Sequence, residues 1–316
     1  MINPGSTAPV SSAPPQCISQ SDRSATLSFW LFMAPALAGL TLFTFVPIVW
    51  GFLLSLSRAQ NTIKPGHFVG AANYLDLLGD AAFLRALGTI LVFAAFIVPL
   101  TYAASLGLAL LVNRAGFGTP LFRTVFFIPT AVSYVVASLV WKISLFSGTD
   151  SGFANQLLAA GGSDAVAWIS PTGLPWYWLV IVTARLWLQV GFFMIIFLAG
   201  LQEISPSLYE AASVDGARPG WQTFRYITWP QLRATSISVL LLNFIGAFQA
   251  FDEFYNILGT TGVNASLART PLVYLYSLAL SDQDFGRGTA GAFILTAIIL
   301  TVTLIQSRVL GFGDAE

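Results

Sequence analysis

Residues 86–113 run between Arg85 and Arg114 without one charged side chain. A helix that crosses the hydrocarbon core of a bilayer needs about 20 mostly apolar residues, and this stretch meets that length. The charge-free runs 24–57, 124–141, 234–251 and 288–307 meet or approach it, and a sixth, 165–202, is interrupted only by Arg185. Six spans are predicted, which makes the fold class all-α, a polytopic membrane helix bundle. Composition agrees: the chain is 56% hydrophobic and 9% charged, against roughly 25% charged in an ordinary soluble domain.

The first run is far longer than the apolar core of about 7–15 residues in a cleavable signal peptide, so it is read as a retained anchor. Pro35 is tolerable there, whereas Pro47 removes a backbone hydrogen bond and predicts a kink. Ahead of it lies a polar, Pro/Ser-rich tail, residues 1–24, read as disordered, and residues 25–316 follow as one membrane domain without a fixed-period repeat. Zero net charge removes the electrostatic argument for a nucleic-acid partner. Cys17 is the one cysteine, so no internal disulfide can form.

Orientation follows from the basic residues. With the tail inside, inner segments hold Arg23, Arg114, Arg123, Arg218, Arg225, Arg233 and Arg308, and outer segments hold Arg58, Lys64, Arg85, Lys142, Arg269 and Arg287. The short loop 113–123 carries Arg114 and Arg123 with no acid, and short loops dominate the positive-inside bias. Both termini and the segment Glu210–Pro230 are therefore expected in the cytoplasm.

Sites for chemistry are sparse. No Gly-rich sequence ends in Gly-Lys-Ser/Thr, so the chain has no phosphate loop. His67, the single histidine, falls in an outer loop without the His or Cys neighbours a metal site requires. No Gly-x-Ser-x-Gly turn occurs. The pattern recommends neither an enzyme nor a bound cofactor.

One charged segment interrupts the apolar pattern: EAASVDGARPGWQTFRYITWP, residues 210–230. Ser207 and Glu210 have the spacing of a capping box that starts a helix, and Asp215-Gly216 supplies a stop. Pro219 suits the first turn of a second helix. Trp221, Phe224 and Ile227 then recur at a spacing that shares one face, and Pro230 closes the segment. A helical hairpin outside the bilayer is predicted over 205–230. By spacing alone it is also compatible with an ordinary capped loop.

The residues themselves carry more. Glu210-Ala211-Ala212, Asp215-Gly216-Ala217, Phe224, Ile227 and Pro230 resemble the EAA loop of permease subunits in binding-protein-dependent ABC importers. Further stretches are similar to the maltose-type, carbohydrate-importing branch: Phe68-Val69-Gly70 with Asn73-Tyr74, Leu121-Phe122-Arg123-Thr124 with Phe127-Ile128-Pro129, and Ala199-Gly200-Leu201-Gln202 leading to Tyr209. Two positions depart from that pattern. Trp229 stands where leucine is usual, and Gly259-Thr260-Thr261-Gly262 replaces Gly-Gly-Pro.

The resemblance implies a permease subunit in a bacterial inner membrane, importing a sugar or oligosaccharide, with glycerol 3-phosphate or glycerol phosphodiesters as the alternative cargo. It implies a second homologous permease, two copies of a cytoplasmic ABC ATPase that holds ATP-Mg, and an extracytoplasmic solute-binding protein. The hairpin would be a coupling helix seated in the ATPase. Glu210 would cap it or reach a basic residue of that partner, Gly216 would make the bend, Ala211 and Ala212 would permit close approach, and Pro230 would redirect the chain.

For substrate, Gln249, Asp252, Glu253 and Asn256 fall at helical spacing near the outer end of the fifth span, with Asn243 deeper and Phe248, Phe251 and Tyr255 interleaved. Polar groups beside aromatic rings suit a sugar path, and equally suit interhelical hydrogen bonding. Arg185 lies about 10–14 Å below the interfacial Trp176 and Trp178 at a helical rise of about 1.5 Å per residue. Its charge calls for a partner or a watery surface, and its side chain can snorkel outward toward Asp252 or Glu253. An ion-coupled secondary transporter or a membrane scaffold are the readings from other classes.

Overall fold

A computed structural model describes residues 21–114, 118–170, 172, 174–218, 220–260, 264 and 267–310, with the side chains of 21–25 and 310 excluded. The tail 1–20 with Cys17, and Pro219, Thr261 and Gly262, lie outside the described residues. Two compact units divide the chain, residues 1–51 and 52–316. Among the described residues no strand is present.

The first apolar helix, α1, runs Thr26–Ser55. Pro47 would clash with the carbonyl four residues earlier. The chain absorbs this with a π-helical turn, Thr41–Phe45, just ahead of it, so α1 continues through the expected kink as one span.

In the second unit, α2 (Ala72–Gly79) lies outside the spans and α3 (Ala81–Arg114) is a long one. Asp80 starts α3 by accepting the Ala82 amide at 2.7 Å. The predicted third span is instead two half-helices, α4 (Thr119–Ala131) and α5 (Tyr134–Leu145), bent by 92°. Pro129 cannot donate to the ladder, and Val132 and Ser133 turn extended, at ψ 137° and 136°. The following loop carries α6 (Phe153–Ala160), and α7 (Tyr177–Glu203) is the fourth span. Residues 165–170, 172 and 174–176, counted with that span by the sequence, lie in the loop before it, and Trp176 stands at the N-cap of its first helical turn.

After the hairpin, described below, α10 (Arg233–Phe248) and α11 (Asp252–Leu258) make one interrupted span. A shorter apolar helix, α12 (Pro271–Ser281), precedes the last span, α13 (Phe285–Leu310). Five helices of the described residues are long and apolar enough to cross a membrane, or six with the bent pair counted as one span. π-Helical turns recur at Trp141–Leu145, Phe224–Thr228 and Ser277–Ser281.

Three apolar clusters hold the second unit. Phe93, Ile97, Ile181 and Phe254 join α3, α7 and α11 at one end, and Ala109, Phe197, Leu201 and Val239 join α3, α7 and α10 at the other. Leu77, Phe83, Leu275 and Ala290 join α2, α3, α12 and α13. Small residues set the closest crossings. A Cβ on Gly191 of α7 would meet the Phe126 carbonyl of α4, and one on Gly200 would meet the Thr235 side chain of α10.

Candidate functional site

The charged interruption folds as predicted into a helical hairpin, with differences at its caps. Its first arm, α8, is Pro206–Val214. Ser205 rather than Ser207 precedes it, and Pro206 supplies the first-turn φ. The capping box is not formed. Ser205 makes no side-chain cap and shares a 2.8 Å hydrogen bond with the Ser207 hydroxyl, while the exposed Glu210 carboxylate has no partner among the described residues. Proline at the first turn lacks an amide, so a side-chain cap has less to satisfy.

The stop at Gly216 holds in detail. Gly216 has φ +83°, its amide donates to Ser213 O at 3.2 Å, and the Ala217 amide donates to Ala212 O at 2.9 Å. These two bonds are the paired closures of a Schellman motif, which needs a left-handed residue where Gly216 stands. Gly220, at φ +105°, then leads into the second arm, α9, made of Trp221–Thr223, the π turn Phe224–Thr228 and Trp229–Gln231.

Two contacts tie the hairpin to the bundle, and one joins its arms. Phe224 packs against the α3/α7/α10 cluster, Tyr209 and Thr228 join the two arms through their hydroxyls at 3.2 Å, and Trp229 sits 5.9 Å from the Phe224 ring and 6.2 Å from Tyr102. Trp229, the departure from leucine, thus wedges the hairpin against α3. Ile227 is half-buried, whereas Ala211, Asp215, Gly216 and Pro230 are exposed, with Ala212 and Ala217 between. Pro230 does not close the helix. It opens the last turn, and the break falls two residues later at Leu232. A cavity of about 910 Å³ separates the hairpin from the ends of α3 and α7, lined by Asn113, Arg114, Leu201, Tyr209 and Trp221.

The second candidate region is the interrupted fifth span. The predicted single face through Gln249, Asp252, Glu253 and Asn256 does not exist, because the helix stops at Phe248 and restarts at Asp252. Asn243 is 1% exposed and donates to Val98 O on α3 at 3.1 Å; Phe248, also 1% exposed, stacks near Phe244 at 4.5 Å. Both point into this chain's own core. Gln249 is exposed and Asp252, Tyr255 and Asn256 are half-buried.

Arg185 pairs with Glu253, not Asp252: Nη1 lies 2.8 Å from Oε1, with both side chains buried. Its Nη2 donates to Gly246 O at 2.6 Å, and its guanidinium carbon lies 5.1 Å from the Tyr134 ring centre. Sequence reasoning missed Tyr134 and Tyr276. Tyr276 joins Phe251 and Tyr255 in an aromatic trio, with ring centres at 5.0, 5.3 and 5.3 Å. It lies in α12, a helix too short to register among charge-free runs of spanning length.

Comparison with known proteins agrees with this architecture. Residues 102–310 match the family described as "Binding-protein-dependent transport system inner membrane component". The chain is 32% identical over 280 residues to the lactose transport system permease protein LacF of Rhizobium radiobacter, covering 88% of this chain and 92% of that one. It is 30% identical over 290 residues to the arabinooligosaccharides transport system permease protein AraP of Bacillus subtilis, covering 91% and 90%. A chain from the crystal structure of a bacterial ABC transporter that imports the acidic polysaccharide alginate superposes with TM-score 0.80 at 21% identity, over 92% of this chain and 98% of that one. Helix count, hairpin and sequence similarity converge: the chain belongs to the binding-protein-dependent transport system inner membrane components, as a multi-pass membrane protein.

Proposed function

We propose that this chain is a permease subunit of an ATP-driven importer for a sugar or oligosaccharide delivered by an extracytoplasmic solute-binding protein. The observation that carries the reading is mechanical. The hairpin is fixed at its bend by the Schellman closure at Gly216 and tied to the bundle by Phe224 and Trp229, yet it leaves Glu210, Ala211 and Asp215 exposed. A knob that is rigid, anchored and exposed transmits rigid-body motion into a bundle that has two packings. The sugar assignment draws on the lactose and arabino-oligosaccharide permeases that the chain resembles.

In this reading the hairpin and both termini face the cytoplasm. Arg114, from the short basic loop, lines the same cavity as Tyr209 and Trp221 of the hairpin, which supports placing the two on one side of the membrane. Glu210 reaches a basic residue of an ATPase, and Ala211 and Ala212 allow its surface to approach. The chain has no phosphate loop, so ATP-Mg belongs to the two ATPase copies. A second homologous permease completes the translocation path, to which the exposed Gln249 and the half-buried Asp252 and Tyr255 contribute.

The test is purification of the intact complex from native membranes and its reconstitution into vesicles. ATP-dependent accumulation of radiolabelled lactose or arabino-oligosaccharide, abolished when the binding protein is left out, is the expected result. Accumulation driven by an ion gradient without ATP would refute the importer reading. Binding of glycerol 3-phosphate and no sugar by the co-purified binding protein would overturn the cargo.

A further inference from the structure

The break in the fifth span has no cause in its own sequence. Gly246-Ala247-Phe248-Gln249-Ala250-Phe251-Asp252 contains no proline, and its one glycine precedes the break inside α10. Alanine and glutamine are good helix formers, and sharp interruptions almost always trace to proline, Gly/Ser pairs, π bulges or an inserted group. Here the inserted groups are side chains from elsewhere in the chain.

At the break the Ala250 amide turns to Ala247 O at 3.2 Å, so Gly246 O loses the amide that a continuing helix would give it. Arg185 Nη2 takes that carbonyl at 2.6 Å, and Nη1 holds Glu253, in the first turn of α11, at 2.8 Å. One guanidinium therefore satisfies the end of one half-helix and the start of the next. The fully buried Thr270 hydroxyl also donates to Ala250 O at 2.9 Å. The Phe251 amide, which a continuous helix would bond to Ala247 O, has no backbone acceptor among the described residues.

We infer that Arg185 is a positioning residue: with Glu253 it clasps the fifth span in its broken form and so sets the direction in which Gln249, Asp252 and the Phe251–Tyr255–Tyr276 trio face. It is not a substrate-contacting charge. Arg185 is 6% exposed and Glu253 1%; Nη1 and Nη2 go to Glu253 and Gly246 O beside the Tyr134 face, while Arg185 Nε and Glu253 Oε2 are buried without a partner among the described residues. Removing either partner alone strands a buried charge, whereas removing both does not, which separates loss of the clasp from simple misfolding. An Arg-to-Lys exchange keeps the charge but replaces the two-armed fork by a point donor.

The experiment uses the assembled complex in vesicles and compares wild type with Arg185→Met/Glu253→Leu and with Arg185→Lys. The first readout is hydrogen exchange at the Phe251 amide, which depends on no assumption about cargo. In the double variant the helix closes over the break, and this amide is expected to exchange at least tenfold more slowly. The second readout, which rests on the transport reading, is the maximal rate of ATP-driven lactose uptake, expected to fall at least tenfold. If the double variant does not assemble, Arg185→Lys decides, with exchange at Phe251 slowed at least threefold. Exchange unchanged or faster in the decisive variant overturns the clasp, whatever uptake does. Wild-type vesicles that take up no lactose with ATP count against the transport reading alone, because the exchange measurement still decides the clasp.

Discussion

Replacing Gly216 with valine isolates what one backbone angle does for the hairpin. A Cβ added at Gly216 meets nothing within 4 Å, so the substitution introduces no collision, and its cost is that of holding an L-residue at φ +83°. A left-handed residue with a Cβ costs about 1–2 kcal/mol, and a β-branched one belongs at the upper end because of its crowded Cβ. About 2 kcal/mol opens the Schellman closure roughly 30-fold more often, since each 1.4 kcal/mol is a factor of ten. Hydrogen exchange at the Ala217 amide, which now donates to Ala212 O at 2.9 Å, should accelerate by that factor, and ATP-driven uptake should fall while membrane insertion is unchanged. Asparagine tolerates the left-handed region, so Gly216→Asn should exchange and transport close to wild type. Equal exchange in the valine and asparagine variants, or normal uptake by the valine variant, would refute the argument from backbone geometry.

Gly191→Ala should destabilise more than Gly200→Ala in a thermal melt of the purified protein. Its Cβ would lie 2.7 Å from the Phe126 carbonyl carbon and 3.2 Å from Phe127 Cα, all backbone, whereas Gly200 faces the Thr235 side chain, which can rotate; overpacking costs about 1–3 kcal/mol. Asn155→Ala should loosen the loop 147–170 by about 2–5 kcal/mol, read as faster proteolysis there, because it strands the Val166 amide and the Trp168 indole that Asn155 Oδ1 now accepts at 3.0 and 2.9 Å. Asp80 is held below its ordinary carboxyl range, first by the Tyr274 hydroxyl at 2.6 Å and also by the Ala82 amide and Arg287. A depressed folded value means its contribution is complete above pH about 4 and lost as pH falls through the lowered value. Asp80→Asn should remove about 1 kcal/mol at neutral pH, a small figure because the site is half-buried and partly screened by solvent, and flatten the acid limb of the stability curve.

What the sequence made legible follows the physics that is local to it. Spans were readable because lipid admits no long charge-free alternative to a helix, and the Gly216 bend because only a few residues accept its φ. The caps were less so: Ser207 and Glu210 had the right spacing, but Pro206 moves the start of α8 so that the N-cap falls two residues earlier, at Ser205. The 92° bend between α4 and α5 carried a signal in Pro129 that a count of charge-free residues ignores. The gap between α10 and α11 carried none, since it is imposed by Arg185 and Thr270 from distant parts of the chain. That Arg185 needs an acid was deducible; that Glu253 rather than Asp252 supplies it required knowing how the interrupted helix turns.

The π turn Phe224–Thr228 gives the second arm of the hairpin one residue more than an α-helix of the same span would hold. Successive residues on an α-helix are about 100° apart, so this surplus residue fixes the azimuth at which Trp229 meets Tyr102. Excising it would leave composition, hydropathy and caps nearly untouched while swinging Trp229 off that ring, so the seat of the hairpin against α3 is phased by a single residue.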